Sequence, residues 1–255
     1  MQINDKILKK VDRELQAVND RIGVDRKTLN EVFDKSTLLT FGKLISDRVI
    51  KYVDFPISTG KEANIFRAVT PKKKLIVVKV YRVATSNFNR MINYIQGDPR
   101  FSSVGKNKRE IVYQWVKKEW TNLRKLEEIK VPAPKPIKFL NNILVMEYIG
   151  DVEHPAPLLK NVSLENPNKI YTTIIEYIKR MYGEGDLVHS DLSEYNILVH
   201  RGKPFLIDLA QGVVRDHPMA LDFLRRDIRN ITTFFRKHGV DCDEKKIFER
   251  ITCGG

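Results

Sequence analysis

The sequence predicts an α+β chain that is helical at its start, an antiparallel β-meander next, and mostly helical in its second half. Three observations carry that expectation. Leu8, Val11, Leu15, Val18 and Ile22 recur at three-four spacing, which marks one apolar helix face. After Tyr52 the period shortens to β-forming runs separated by turn residues. From residue 110 onward, long amphipathic stretches alternate with prolines and short hairpin patterns.

In chain order, residues 6–22 form the first expected helix, and a second runs from about Thr28 to Leu39 around Leu29, Val32 and Phe33. Tyr52–Ile57 reads as a strand reaching a turn at Ser58-Thr59-Gly60, and Ile65–Val69 as the next strand. Pro71-Lys72-Lys73-Lys74 supplies another turn before a third strand, Leu75–Tyr81. Residues 83–109 are polar and rich in turn formers, the composition of a functional loop, with a short helix around Phe88–Ile95 as one reading of its middle. Ile111, Trp115, Trp120 and Leu123 place a helix over 110–128, which the prolines at 132, 134 and 136 end. Asn141-Asn142 joins strands 137–140 and 143–146 as a two-residue turn. A helix over Pro167–Tyr182, strands 197–199 and 205–207 around Arg201-Gly202-Lys203, and a helix over Met219–Lys237 complete the reading.

Composition narrows the function classes. A hydrophobic fraction of 42% against 30% charged suits a chain with a real core. No apolar run approaches the roughly 20 residues that span a bilayer, so no membrane partner is expected. The start, Met1–Lys10, is charged and unlike a secretory signal. Cys242 and Cys253 suit neither a disulfide framework nor a tetrahedral metal site. The expected setting is cytoplasmic. Of the net charge of +13, an excess of ten lies in residues 72–130, where 15 Lys/Arg meet 5 Asp/Glu. Such a region attracts polyanions, although a solvated basic surface is the plainer alternative.

The residues with the most chemistry lie at 188–208. Asp191 and Asn196 are separated by four residues, and His189 stands two before the aspartate. This spacing matches the catalytic loop of protein kinases, and the following hairpin returns Asp208 towards Asn196. A carboxylate can then orient or deprotonate an attacking hydroxyl, while an amide oxygen and a second carboxylate hold magnesium. Lys79 interrupts the run Val77–Val80, where a buried ammonium needs an anion, such as nucleotide phosphate and a helix glutamate. Glu119 is the preferred glutamate and Glu110 the alternative. Ser58, Thr59, Gly60, Lys61, Glu62, Ala63 and Asn64 join two strands, as a phosphate-covering loop does, though with one glycine only. Met146, Glu147 and Ile149 sit where an apolar strand runs into a link, a hinge able to offer backbone groups to adenine. The order of nucleotide loop, lysine, glutamate helix, hinge, catalytic loop and metal aspartate points to a two-lobed protein-kinase-like fold. Its N-lobe (50–146, with a flexible insertion at about 83–109) is an antiparallel β-sheet. Its C-lobe (147–255) is mostly helical and truncated, and a helical extension (1–49) precedes both.

Ser58–Asn64, Gly97-Asp98-Pro99-Arg100-Phe101 and His217-Pro218-Met219-Ala220-Leu221-Asp222-Phe223-Leu224 resemble the first subfamily of RIO kinases, atypical serine protein kinases, over about residues 50–237. The resemblance implies ATP with Mg2+, or Mn2+ in its place, and a role in maturation of the small ribosomal subunit. That role includes rRNA contact through the basic N-lobe. It implies Asp191 as catalytic base, Asn196 and Asp208 as metal ligands, Lys79 as phosphate ligand and Met146–Ile149 as adenine hinge. Asp208 is also implied as an aspartyl-phosphate site, and Ser102 and Ser103 as self-phosphorylation sites. Departures from ordinary protein kinases matter too. Leu209-Ala210-Gln211 follows Asp208 where Phe-Gly is usual, and Ser190 stands in place of an arginine. No activation-loop switch of the usual kind is expected. The activity is then a serine/threonine protein kinase, or an ATPase timing release from a pre-ribosomal particle. The alternatives are a catalytically idle nucleotide-bound scaffold and a small-molecule kinase.

Overall fold

A computed structural model of the chain describes residues 34–84, 87–101 and 107–253. The helix expected over 6–22, the start of that expected over 28–39, and Ser102 and Ser103 lie outside the described residues. The chain divides into two compact units, Met1–Asn87 with Ile137–Tyr148, and Phe88–Pro136 with Ile149–Gly255. The segment 88–136, assigned to the N-lobe in the sequence reading, is grouped by its contacts with the second unit.

Among the described residues, the first element of the first unit is α1 (Lys35–Ser46), which starts where the Asp34 side chain accepts from the Thr37 N–H and hydroxyl at 2.8 and 2.7 Å. That cap satisfies one of the orphan donors of the first turn. The described part of the helix expected over 28–39 thus lies within α1, which continues past Leu39 to Ser46. Beyond it lies a five-stranded sheet of β1 (Tyr52–Thr59), β2 (Ala63–Val69), β3 (Leu75–Tyr81), β4 (Pro136–Leu140) and β5 (Ile143–Glu147). The spatial order is β1-β2-β3-β5-β4. Ser58 and Thr59 belong to β1 rather than to the turn, which falls at residues 60–62.

Strand alternation sorts the sheet into two faces. Val78 pairs with Phe66 and Val145, and this face joins Leu38, Phe41 and Leu44 of α1 in one apolar cluster. Each of those three helix side chains contributes about 1.5–3 kcal/mol by leaving water. Lys79 pairs with Ile65 and Leu144 and so occupies the opposite face. The Asn142 amide ties α1 to the sheet by donating to Thr37 Oγ1 and to the Tyr81 carbonyl, both at 2.9 Å.

The second unit is mostly helical. It contains α2 (Phe88–Gln96), α3 (Lys108–Glu128), α4 (Pro167–Gly183), α5 (Ala220–Arg236) and α6 (Glu244–Thr252). Asn107 caps α3 by accepting from the Glu110 N–H at 3.0 Å, and Asn166 caps α4 ahead of Pro167. The α6 helix went unrecognised in the sequence, although Asp243 caps it and Ile247 and Ile251 hold helical spacing. Two small ladders interrupt the helices: β6 (Leu187–Val188) with β9 (Val213–Val214), and β7 (Ile197–His200) with β8 (Lys203–Leu206). Arg201 and Gly202 close the second hairpin with φ of 51° and 71°, the left-handed pair a tight primed turn requires. No helix among the described residues is long and apolar enough to cross a membrane.

Candidate active site

In the first unit, the turn after β1 is closed by the Gly60 N–H donating to the Ala63 carbonyl at 2.9 Å. A Cβ at Gly60 would stand 3.1 Å from that same oxygen, so the turn favours glycine through close approach. Ser58, Thr59, Gly60 and Lys61 are exposed, Glu62 and Ala63 half-buried, and Asn64 buried. Lys79 is 5% exposed, with its ammonium 4.9 Å from the Tyr81 ring centroid. Met146 and Tyr148 are buried at the end of β5. Ile149, a candidate hinge residue that falls in the second unit, already accepts from the Ala156 N–H at 3.0 Å.

The second unit brings Asp191, Asn196 and the residue before Asp208 together. The Ile207 N–H donates to the Asn196 carbonyl at 3.0 Å, setting Asp208 one residue from Asn196 across the hairpin. Asp208 has φ of 63°, a strained left-handed conformation for a residue with a Cβ. The Asn196 amide nitrogen lies 2.7 Å from the Asp191 carbonyl and 3.4 Å from Asp191 Oδ2. With its donor end committed, the amide turns its oxygen elsewhere. His189 is buried, and its Nε2 donates to the Ile207 carbonyl at 3.1 Å because a carbonyl only accepts. Burial pushes this imidazole below its ordinary range, although the nearby Asp191 and Asp208 carboxylates pull the other way. His189 is therefore a neutral strut beneath both aspartates.

A clamp holds the backbone around Asp191. Asp227 on α5 accepts from the Ser190 and Leu192 N–H groups, each at 2.8 Å, and Arg226 donates to the Ser190 carbonyl. Ser190 sits at φ of 69°, so the loop is bent where the clamp grips it. Burial pushes Asp227 up to about 7, against the two N–H donors and the neighbouring Arg226. The sequence reading missed Asp227. Its position within the stripe Leu224, Ile228, Ile231 and Phe235 was the available signal: a carboxylate on a buried helix face needs donors.

A buried ion pair was missed as well. Lys118 on α3 reaches Asp98 Oδ2 at 2.5 Å and the Gly212 carbonyl at 2.6 Å, and both side chains are fully enclosed. Burial lowers the Lys118 ammonium to about 8 despite Asp98. Burial raises Asp98, but Arg100 and Lys118 outweigh it and hold the carboxyl below its usual range. Of the two candidate glutamates, Glu119 is 1% exposed, whereas Glu110 is exposed and accepts from the Asn107 amide at 2.8 Å. Among the described residues, no group of three His, Cys, Asp or Glu is placed to hold a metal ion.

The RIO1 family profile, described as a RIO domain, matches residues 64–247. The RIO-type serine/threonine-protein kinase Rio1 of Haloferax volcanii is 42% identical over 250 residues, covering 97% of this chain and 86% of that protein. Its namesake in Thermoplasma acidophilum is 51% identical over 187 residues, covering 73% and 98%. Among solved structures, the Rio2 kinase of Chaetomium thermophilum in an ADP/Mg2+-phosphoaspartate complex superposes with a TM-score of 0.66 at 24% identity. The match covers 84% of this chain and 65%, just under two thirds, of that one. This likeness shows a protein-kinase fold, built from an antiparallel sheet and a helical C-terminal part.

Proposed function

This chain belongs to the RIO family of serine/threonine protein kinases, and from that premise we propose that it transfers the γ-phosphoryl group of ATP to serine or threonine hydroxyls, its own included. The observation that carries the reading is the joint placement of Asp191, Asn196 and the Ile207-Asp208 turn, clamped by Asp227 and propped by His189. The donor set suits magnesium: a carboxylate from Asp208 and the amide oxygen of Asn196 are hard oxygen ligands, and phosphates and water complete such sites. When bound, Mg2+ neutralises the β- and γ-phosphate charge. Mn2+ takes the same kind of ligands.

Asp191 receives the hydroxyl proton as the serine oxygen bonds to the γ-phosphorus and the bond to the bridging oxygen breaks, releasing ADP. In the same reading Lys79 binds nucleotide phosphate, the 58–64 turn covers it, and Met146–Ile149 face the adenine. For the lysine's counter-charge, burial favours Glu119, since a buried carboxylate requires a cation and Glu110 already serves at the helix cap. Asp208 is the proposed aspartyl-phosphate site, and Ser102 and Ser103 the proposed self-phosphorylation sites. The proposed partner is a pre-small-ribosomal-subunit particle, met through the basic region 72–130. There, ATP turnover would time release.

The test follows ³²P from the γ-position of ATP into free phosphate, into the protein and into added protein, with and without small ribosomal subunits. Label in protein that falls about 10²–10⁴-fold in Asp191→Ala supports the kinase. Free phosphate raised by subunits, with little stable label, supports the ATPase variant. Tight ATP binding without turnover would refute both.

A further inference from the structure

We propose that Gln211 is a positioning residue for phosphoryl transfer, holding the Asp191 carboxylate through a hydrogen bond whose direction Arg90 dictates. The inference rests on the phosphotransferase reading above. Gln211 lies three residues beyond Asp208, in the 3-10 turn Leu209–Gln211, and is buried. Its Nε2 donates to Asp191 Oδ2 at 2.8 Å, and its Oε1 accepts from Arg90 Nη2 at 2.9 Å. A guanidinium only donates and an ionised carboxylate only accepts. Between those two neighbours the amide has one satisfied orientation, with its N–H towards Asp191. Arg90 on α2 thereby sets the amide, and the amide sets the aspartate.

The consequence for Asp191 is an asymmetry between its oxygens. Oδ2 receives Gln211 at 2.8 Å and lies 3.4 Å from the Asn196 amide nitrogen. Oδ1 is faced by Arg90 Nη2 at 3.9 Å, beyond hydrogen-bond length. Oδ1 is thus the oxygen presented to the acceptor hydroxyl. The turn bearing Gln211 is itself fixed from α3. Asn122 donates to the Leu209 carbonyl at 2.7 Å and to the Gly212 carbonyl at 2.9 Å, and Lys118 donates to Gly212 at 2.6 Å. A side chain that served only as filling would need neither the pinned turn nor a matched donor and acceptor at its two ends.

The experiment compares steady-state kinetics of wild type, Gln211→Met, Arg90→Ala, Arg90→Lys and the Gln211→Met/Arg90→Ala double variant, each checked for a native melting transition. Gln211→Met keeps the length and loses the donor. Its kcat should fall about 10–100-fold, because small misplacement of a catalytic group costs on this scale, while KM for ATP stays within about twofold. Arg90→Ala should lower kcat in wild type but not in the Gln211→Met background, and Arg90→Lys should restore part of the loss. An unchanged kcat in Gln211→Met, a loss carried by KM, or equal Arg90→Ala losses in both backgrounds would each overturn the proposal. If Gln211→Met does not fold, the Arg90 pair decides: rescue by lysine supports the proposal and equal loss overturns it. Wild type without turnover would instead remove the phosphotransferase reading, and this inference with it.

Discussion

Removing Asp98 should unmask the cost of burying Lys118. In Asp98→Ala the ammonium stays fully enclosed, with the Gly212 carbonyl as its remaining acceptor and Arg100 close by as a like charge. Breaking a buried pair from one side costs about 3–5 kcal/mol, because an uncompensated charge is left inside. For a chain of this size that corresponds to a melting point lowered by roughly 6–20 °C. Replacing both partners, Asp98→Ala with Lys118→Met, removes the orphaned charge, so the double variant should recover much of the loss rather than add to it. The pH dependence supplies a second reading. Lys118 has a folded value of about 8 against 10.5 for the free side chain. Between those values the unfolded chain binds more protons, so stability attributable to this group rises as pH goes from 8 towards 10.5. The difference between wild type and Lys118→Met in urea unfolding should change with pH in that window and stay flat below it. Costs under about 1 kcal/mol for Asp98→Ala, or additive single losses, would refute the argument.

Three further outcomes are expected. Asp227→Ala leaves the Ser190 and Leu192 N–H groups buried without their acceptor. Each such group costs about 1–3 kcal/mol, and kcat should fall with nucleotide affinity retained in equilibrium binding. Gly97→Ala would place a methyl 2.2 Å from His217 Nε2, and His217 is buried against Phe223, so the melting point should fall as overpacking costs about 1–3 kcal/mol. In Asn142→Ala, Thr37 and the Tyr81 carbonyl lose a shared donor, and amide exchange in α1 should quicken as about 1–3 kcal/mol is lost.

Elements whose apolar period is long or whose turn chemistry is specific were legible in the chain. The α3 and α5 helices, the β2–β3 meander and the Asn141-Asn142 turn fall close to their expected places. The two-residue strands β6 and β9 were not, because two residues carry no period and each exists only through its partner. Lys79, Asp191, Asn196 and Asp208 stood out because ionisable and amide groups interrupt apolar runs at a spacing their chemistry requires. Lys118 and Asp227 did not, and Asp98 and Gln211 stood out only as members of short strings, since the partner that gives each its meaning is distant in sequence.

The sequence by itself determined the fold class and singled out the candidate reactive groups, because hydrophobic period and residue spacing are local properties of the chain. Only the tertiary structure decided what surrounds those groups: that Asp227 grips the peptides on either side of Asp191, that Gln211 stands between Arg90 and that aspartate, and that Lys118 is sealed against Asp98. Hydrogen-bond partners 20 to 121 residues apart in sequence leave no local pattern. Their energies depend on exclusion of water, which arises only once the helices have closed around them.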